Sequence, residues 1–232
     1  MKASTNSQSP TWHDVRDLTV RERLDIGFDE LKDKWQSAPP TFTEETLTIC
    51  GHPVMERWEE NYMSELAEIA TSKGGNVLEV GFGMGISAGF VQQHAIETHT
   101  VIEANQEVFE RLRQFAAAAA HPVIPLLGFW ETVTPNLKDA SFSGILFDTY
   151  PLVPDEVHKN HFAFFQEAFR LLKPGGVLTY YSDEIAEYSP EHLACLRQAG
   201  FSQITARPCP VQPPAGCRYW KSRTILSPIV IK

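Results

Sequence analysis

The chain has 232 residues, 43% of them hydrophobic and 21% charged, which suits a packed globular protein of one to two domains. Twenty lysines and arginines against 29 acids give a net charge of −9, which argues against nucleic acid and anionic membranes as partners, because both are held by clustered basic residues. No apolar run approaches the ~20 residues needed to cross a bilayer, residues 1–10 lack a signal-peptide core, and Cys50, Cys195, Cys209 and Cys217 never form C-x-x-C. The expectation is a cytoplasmic protein with reduced thiols and no metal.

Residues 1–50 read as an extension or lid, polar and charged up to Ala38-Pro39-Pro40, with a short amphipathic stretch at Leu24, Ile26, Phe28 and Leu31. Residues 51–232 read as the main domain. From Pro53 to Ser72 the residues Met55, Trp58, Glu59, Tyr62, Met63, Leu66, Ile69 and Ala70 recur at three and four positions, predicting a helix that Lys73-Gly74-Gly75 stops. A strand follows at 76–80. Strand and helix signals then alternate: strands at 100–102, 123–126, 144–147 and 177–181, and helices at 86–93, at 106–115 behind an Asn105 cap, at 156–172 and at 190–198. Ala116 to Ala120 is a small-residue helix end. Such alternation implies right-handed βαβ crossovers and a parallel sheet. Segments 202–206 and 224–231 are too close in sequence for a crossover and are expected to pair antiparallel, with Pro228 at a bulge or an edge. The fold class is therefore α/β, a doubly wound, mostly parallel seven-stranded sheet with an antiparallel last strand.

Glu79-Val80-Gly81-Phe82-Gly83-Met84-Gly85 sits where the first strand of that sheet turns into a helix, a place where backbone amides approach a ligand without Cβ obstruction. Ile86 fills the third glycine position of a dinucleotide fingerprint, so this loop fits a pyrophosphate poorly. Glu103, 22 residues after Gly81, follows the next strand, where an acid in a doubly wound fold accepts both ribose hydroxyls. Glycine turns also occur without nucleotides and strand-end acids are often solvated; in register with the βαβ pattern, the two together point to a nucleoside. The acid-plus-glycine loop resembles the first motif of class I S-adenosylmethionine (SAM)-dependent methyltransferases.

Asp148, in Asp148-Thr149-Tyr150-Pro151, follows the fourth strand and so lies beside the ligand crevice. On the expected leading helix, Met55, Glu59 and Met63 share a stripe, and an unpaired buried carboxylate there would want a cation. Several segments resemble the guanidinoacetate N-methyltransferase family: Gly51 to Glu59, Ser72 to Gly75, Val77 to Met84, Val123 to Leu126, Gly128 with Trp130-Glu131, Asp148 to Pro151, Phe169 to Tyr180, and Cys217 to Tyr219. The resemblance runs from about residue 51 to the end. It implies that Trp35, Met55, Met63, Met84, Gly85, Ile86, Ser87, Glu103, Trp130 and Glu131 surround SAM, alongside Glu79, Gly81 and Gly83 of the loop. It implies also that Glu59 and Asp148 hold the guanidino group of a small substrate, with Asp148 as base and with Tyr150 and Ser182 beside them.

One departure stands out. After the fifth strand the family has a longer segment that helps hold the substrate carboxylate, whereas Ser182 to Pro190 reaches its helix about a dozen residues sooner. Asp183, Glu184 and Glu187 there would repel an anionic tail, unless they are solvated acids near a helix cap. Two other readings keep the fold: SAM-dependent methylation of another amine or arginine-derived substrate, and a SAM-binding module without transfer activity.

Overall fold

The computed structural model describes residues 12–28 and 31–232, with side chains from residue 18 onward; expectations for residues 1–11 lie outside these. In chain order, helices α1 (Trp12–Leu24) and α2 (Leu31–Trp35) lead into strands β1 (Thr41–Phe42), β2 (Thr46–Ile49) and β3 (His52–Glu56), which form a small antiparallel sheet in the order β1-β2-β3. Cys50 and Gly51, both at positive φ, make the two-residue turn between β2 and β3, matching the twist of a tight hairpin.

Here the structure corrects the sequence reading. Met55 lies on β3, opposite Leu47, rather than on a helix. A 3-10 turn at Arg57–Glu59 follows, and the helix proper, α3, begins only at Glu60 and ends at Thr71. Pairing with β2 overrides a spacing compatible with either state.

The main sheet is built by β4 (Asn76–Val80), β5 (Thr98–Glu103), β6 (Val123–Leu127), β7 (Phe142–Phe147), β8 (Leu172–Tyr180), β9 (Gln203–Pro210) and β10 (Thr224–Ile231). Its order is β6-β5-β4-β7-β8-β10-β9; the first five strands are parallel and β10 runs antiparallel to both neighbours. Helices α4 (Ile86–Val91), α5 (Gln106–Ala118), α6 (Trp130–Val133), α7 (Phe165–Leu171) and α8 (Pro190–Gln198) connect the strands. Asn105 caps α5, its Oδ1 accepting from the Glu107 and Val108 amides at 3.1 Å, and Ser189 caps α8.

Three further expectations shift. The helix expected over 156–172 shrinks to α7 behind a 3-10 turn at Phe162–Phe164, because His158 adopts φ 65° and cannot continue a helix. His158 and His161 therefore share no helix. The Lys173-Pro174-Gly175-Gly176 turn is absorbed into β8. Pro228 is in an interior strand, paired with Ala206 of β9, where the ladder from β10 to β8, which spans Val230 and Ile231, no longer needs its amide.

Alternating side chains divide the core across the sheet. Val77, Val101 and Leu146 pack with Leu66 and Ala67 of α3 on one face; Leu78, Val80, Ile145 and Phe147 pack with Phe164, Phe165 and Leu196 on the other. Gly144 sets how closely α3 lies on β7, since a Cβ there would come 1.7 Å from the Ala70 carbonyl oxygen. Gly144→Ala is expected to cost about 3 kcal/mol or more of unfolding free energy, because backbone rather than a flexible side chain must move. Urea denaturation with an unchanged midpoint would contradict this contact.

The chain winds β4, β5 and β6 outward to one side and then returns to place β7 on the other side of β4, so the strand order reverses between β4 and β7. Open α/β sheets bind ligands beyond the carboxyl ends of strands at such a reversal.

Candidate active site

A cavity of ≈ 240 Å³ opens at that reversal. Its floor is the loop after β4. The Gly81 amide donates to the Ile102 carbonyl at 2.9 Å and the Asp148 amide to the Val80 carbonyl at 2.9 Å, so the ends of β4, β5 and β7 are tied together. Gly81, Gly83 and Gly85 all have positive φ, and a Cβ on Gly81 would fall 1.9 Å from the Asp148 carbonyl oxygen. Only glycine allows this approach.

Glu103 ends β5 nearly buried. Its Oε2 accepts the Phe82 amide at 3.0 Å and its Oε1 the Asn105 amide at 2.7 Å, which aims the carboxylate at the cavity it lines. Burial raises its pKa against the pull of these amides.

Asp148 follows β7 and also lines the cavity. Burial, then the charges of Glu79 and Asp183, push its carboxyl up to about 7. Glu59 closes the 3-10 turn after β3, with its Oε2 accepting from the Glu56 amide at 2.9 Å and from the Tyr219 hydroxyl at 2.7 Å. Burial, then the charge of Asp148, raise it to about 8. Among the described residues neither carboxylate has a cation at ion-pairing distance.

The N-terminal segment roofs the site. Trp35 stacks on Tyr150 with ring centroids 5.5 Å apart and planes 11° from parallel, while its carbonyl accepts from Asn105 Nδ2 at 2.8 Å. His52 Nε2 is 2.7 Å from the Gly27 carbonyl and its Nδ1 2.8 Å from the Tyr150 hydroxyl. Burial depresses the His52 pKa. In the neutral ring Nε2–H then donates to the carbonyl, and Nδ1 accepts the Tyr150 hydroxyl proton.

Of the residues expected from sequence, Trp35, Met55, Glu59, Gly81, Gly83, Ser87, Glu103, Trp130, Glu131, Asp148 and Tyr150 all line this cavity. Others do not. Met63 is fully buried in the core, because its place on α3 turns it under the sheet. Glu79, also fully buried, accepts a hydrogen bond from Ser87 Oγ and lies 2.8 Å from His99 Nε2. Met84 and Gly85 border a shallow neighbouring recess with Arg57 and Arg111, and Ile86 packs on the core. Ser182 Oγ donates to the Leu226 carbonyl at 2.7 Å, serving the β8–β10 junction rather than the cavity.

The acids after β8 are not solvated as a group, and Asp183 acts on the cavity as a negative charge, since it helps to raise Asp148. Asp183 lines the cavity but its Oδ1 lies 2.8 Å from His158 Nδ1; burial alone would raise it, and His158, with the charges of Arg23 and His161, outweighs that and holds it well below the usual carboxylate range. Glu184 is buried, accepting the Ser189 amide at 2.9 Å with His192 Nδ1 at 3.2 Å, and only Glu187 is exposed. Sequence reasoning gave no site role to Arg23 or Tyr219, both of which line the cavity and are nearly buried. Tyr219 carried a signal, the Cys217-Arg218-Tyr219 match; Arg23 carried none.

Comparisons with known proteins agree with this geometry. The family profile described as guanidinoacetate N-methyltransferase matches residues 25–232. Curated relatives include protein arginine N-methyltransferase 2 of Yarrowia lipolytica, 29% identical over 166 residues that make up 67% of this chain and 33% of that protein. The Kluyveromyces lactis protein of the same name is 29% identical over 136 residues, 56% of this chain and 32% of that protein. The chain thus spans about a third of the length of these curated relatives. Among solved structures, spermidine synthase from Thermotoga maritima superposes with a TM-score of 0.56 at 15% identity, covering 83% of this chain and 71% of that one. M. jannaschii TYW2 in complex with AdoMet gives 0.54 at 15% identity, covering 84% and 85%. At these identities the structural likeness establishes the fold.

Proposed function

Starting from the premise that this chain belongs to the guanidinoacetate N-methyltransferase family, a SAM-dependent family, we propose that it methylates a guanidino nitrogen of a small molecule. The observation that carries this reading is the pair Glu59 and Asp148: two carboxylates facing one cavity, both raised by burial and by negative neighbours, with no cation among the described residues to pair them. Unpaired buried carboxylates are costly, and a planar cation that bonds both relieves the cost.

The cavity fits SAM. The glycine cradle leaves room that a Cβ would fill, and Glu103 stands at the strand end with acceptor capacity left beyond its amide bonds, suited to a ribose diol. Trp35, Met55, Gly81, Gly83, Ser87, Trp130 and Glu131 would hold it. When bound, SAM supplies a methyl group activated by its sulfonium charge.

Glu59 and Asp148 do the rest of the work on the substrate side. A guanidinium has a pKa above 12, so at pH 7 only about one molecule in 10⁵ carries a free lone pair, equivalent to about 7 kcal/mol. Two carboxylates grip the cation by paired charge-assisted hydrogen bonds and fix which nitrogen faces the methyl donor, an orientation that lowers a barrier by several kcal/mol. They also stabilise the cation, so a free deprotonation before reaction is disfavoured. Asp148 Oδ therefore takes the proton from the attacking nitrogen as its bond to carbon forms, when the growing positive charge makes the transfer downhill. Tyr219 orients Glu59 through its hydroxyl, and the roof of α1, α2 and Trp35 excludes water. Residues 1–50 act in this reading as the lid of a catalytic domain spanning 51–232.

The curated relatives favour a second reading, a guanidinium on the arginine of a protein. The roofed cavity supports the small substrate instead. Radiolabelled SAM with guanidinoacetate, methylguanidine, agmatine and an arginine-rich peptide separates the two. Transfer to the small guanidines and none to peptide is expected, and label on the peptide alone would reverse the assignment.

A further inference from the structure

Arg23, on the inner face of α1, is 5% exposed, and its Nε is buried with no hydrogen-bond partner. Burying a guanidinium without a counter-ion is unfavourable, yet the surroundings hold it there. Thr19, one turn earlier on the same face, lies 2.8 Å from His158 Nε2, and the Glu22 carbonyl accepts from Arg218 at 2.7 Å, so α1 is fastened at two points just before Arg23. The guanidinium carbon sits 5.5 Å from the ring centroids of both Tyr150 and Tyr219. Asp183, in the cavity wall, feels the charge of Arg23 but forms no ion pair with it and is already engaged by His158.

Tyr219 connects Arg23 to Glu59. Its ring faces Arg23 and its hydroxyl bonds Glu59. The cavity thus carries two carboxylates, Glu59 and Asp148, and, on the Tyr219 ring whose hydroxyl bonds Glu59, a guanidinium that forms no ion pair among the described residues. This is the charge complement of a short zwitterion that carries a guanidinium and a carboxylate. It also answers the shortened segment after β8, whose backbone would otherwise be needed to hold an anionic tail.

Resting on the reading that Glu59 and Asp148 bind a guanidinium, we propose that Arg23 binds the carboxylate of the substrate and makes this site selective for guanidino acids over neutral or cationic guanidines. A carboxylate could reach Arg23 from two sources, the substrate tail or the amino-acid end of SAM, and the test separates them. Arg23→Gln and Arg23→Lys are compared with wild type using guanidinoacetate and its tail-less analogue ethylguanidine, with SAM affinity measured by calorimetry. Arg23→Gln is expected to lower the ratio of kcat/KM for guanidinoacetate over ethylguanidine by about 10- to 100-fold, through KM, the usual weight of a charge-assisted pair. Arg23→Lys keeps part of the preference, and SAM affinity stays unchanged. Because the ratio is taken within one protein sample, partial misfolding cancels. An unmoved ratio, or a loss of SAM affinity by the same factor, overturns the assignment of Arg23 while leaving guanidine methylation intact. A wild-type protein that methylates neither compound refutes the guanidino reading itself, and Arg23's role with it.

Discussion

Asp148→Asn is expected to lower turnover by about a thousand-fold while SAM affinity stays within about two-fold of wild type. Asparagine keeps the shape of the side chain and one acceptor oxygen, so the floor formed with Gly81, where the backbone carbonyl of residue 148 makes the close approach, is preserved. What it loses is a base and a negative charge. A guanidinium could still lie against Glu59, but no group would take the proton from the attacking nitrogen. A stability effect gives no rival explanation: Asp148 is raised by burial and by Glu79 and Asp183, so removing its charge should leave the melting temperature at pH 8 equal or higher. Single-turnover kinetics with radiolabelled SAM, alongside calorimetry, check both halves. Turnover within tenfold of wild type would remove Asp148 from the chemistry.

The main sheet was legible because its signals are local. Short β-rich runs such as Asn76–Val80 are bounded by glycines, and helix starts such as Gln106 carry their own cap in Asn105. What escaped was set by distant contacts. The spacing through Met55, Trp58 and Glu59 is compatible with a helix, and only pairing with Thr46–Ile49 makes Met55 a strand residue. In the same way nothing near His158 in sequence calls for its positive φ; the turn there lets its ring reach Asp183, 25 residues on, and Thr19, 139 residues back.

The same division runs through the site. Gly81, Glu103 and Asp148 could be placed because each follows a strand of a parallel sheet, and topology alone sends those ends to one crevice. The family resemblance put Ser182 beside the substrate, but two residues past β8 its hydroxyl turns to the Leu226 carbonyl instead. Glu79 lies on the strand itself, so its side chain follows the parity of Val77 and points beneath the loop to Ser87. Arg23 depends on how α1 folds back across the molecule, and neither composition nor periodicity around it carries that information.

Proton release should report the carboxylate pair without any turnover. Glu59, raised to about 8, and Asp148, raised to about 7, hold protons in the folded, cofactor-free protein that unfolded carboxyls would have given up. The sign follows: both contribute stability that is fully present at acid pH and is lost as pH rises through 7 and 8, each with a slope of at most about 1.4 kcal/mol per pH unit. Glu103, also raised by burial, loses its stabilisation in the same direction, so ligand-linked proton release rather than stability isolates the pair, while the other shifted groups act elsewhere. Asp183 and Glu184 are lowered, so their stabilisation is lost only when pH falls below the ordinary carboxylate range, and the depressed His52 acts only below its usual value. A guanidinium stays charged across the whole range and binds the ionised carboxylates. Its binding at pH 6.5 should therefore expel between about one and two protons, falling to nearly none at pH 9. Calorimetry of guanidinoacetate binding in buffers of different ionisation enthalpy measures this directly, and Glu59→Gln should remove the larger share of the release at pH 8. Binding at pH 6.5 with no proton released would mean that the cation does not meet these two acids.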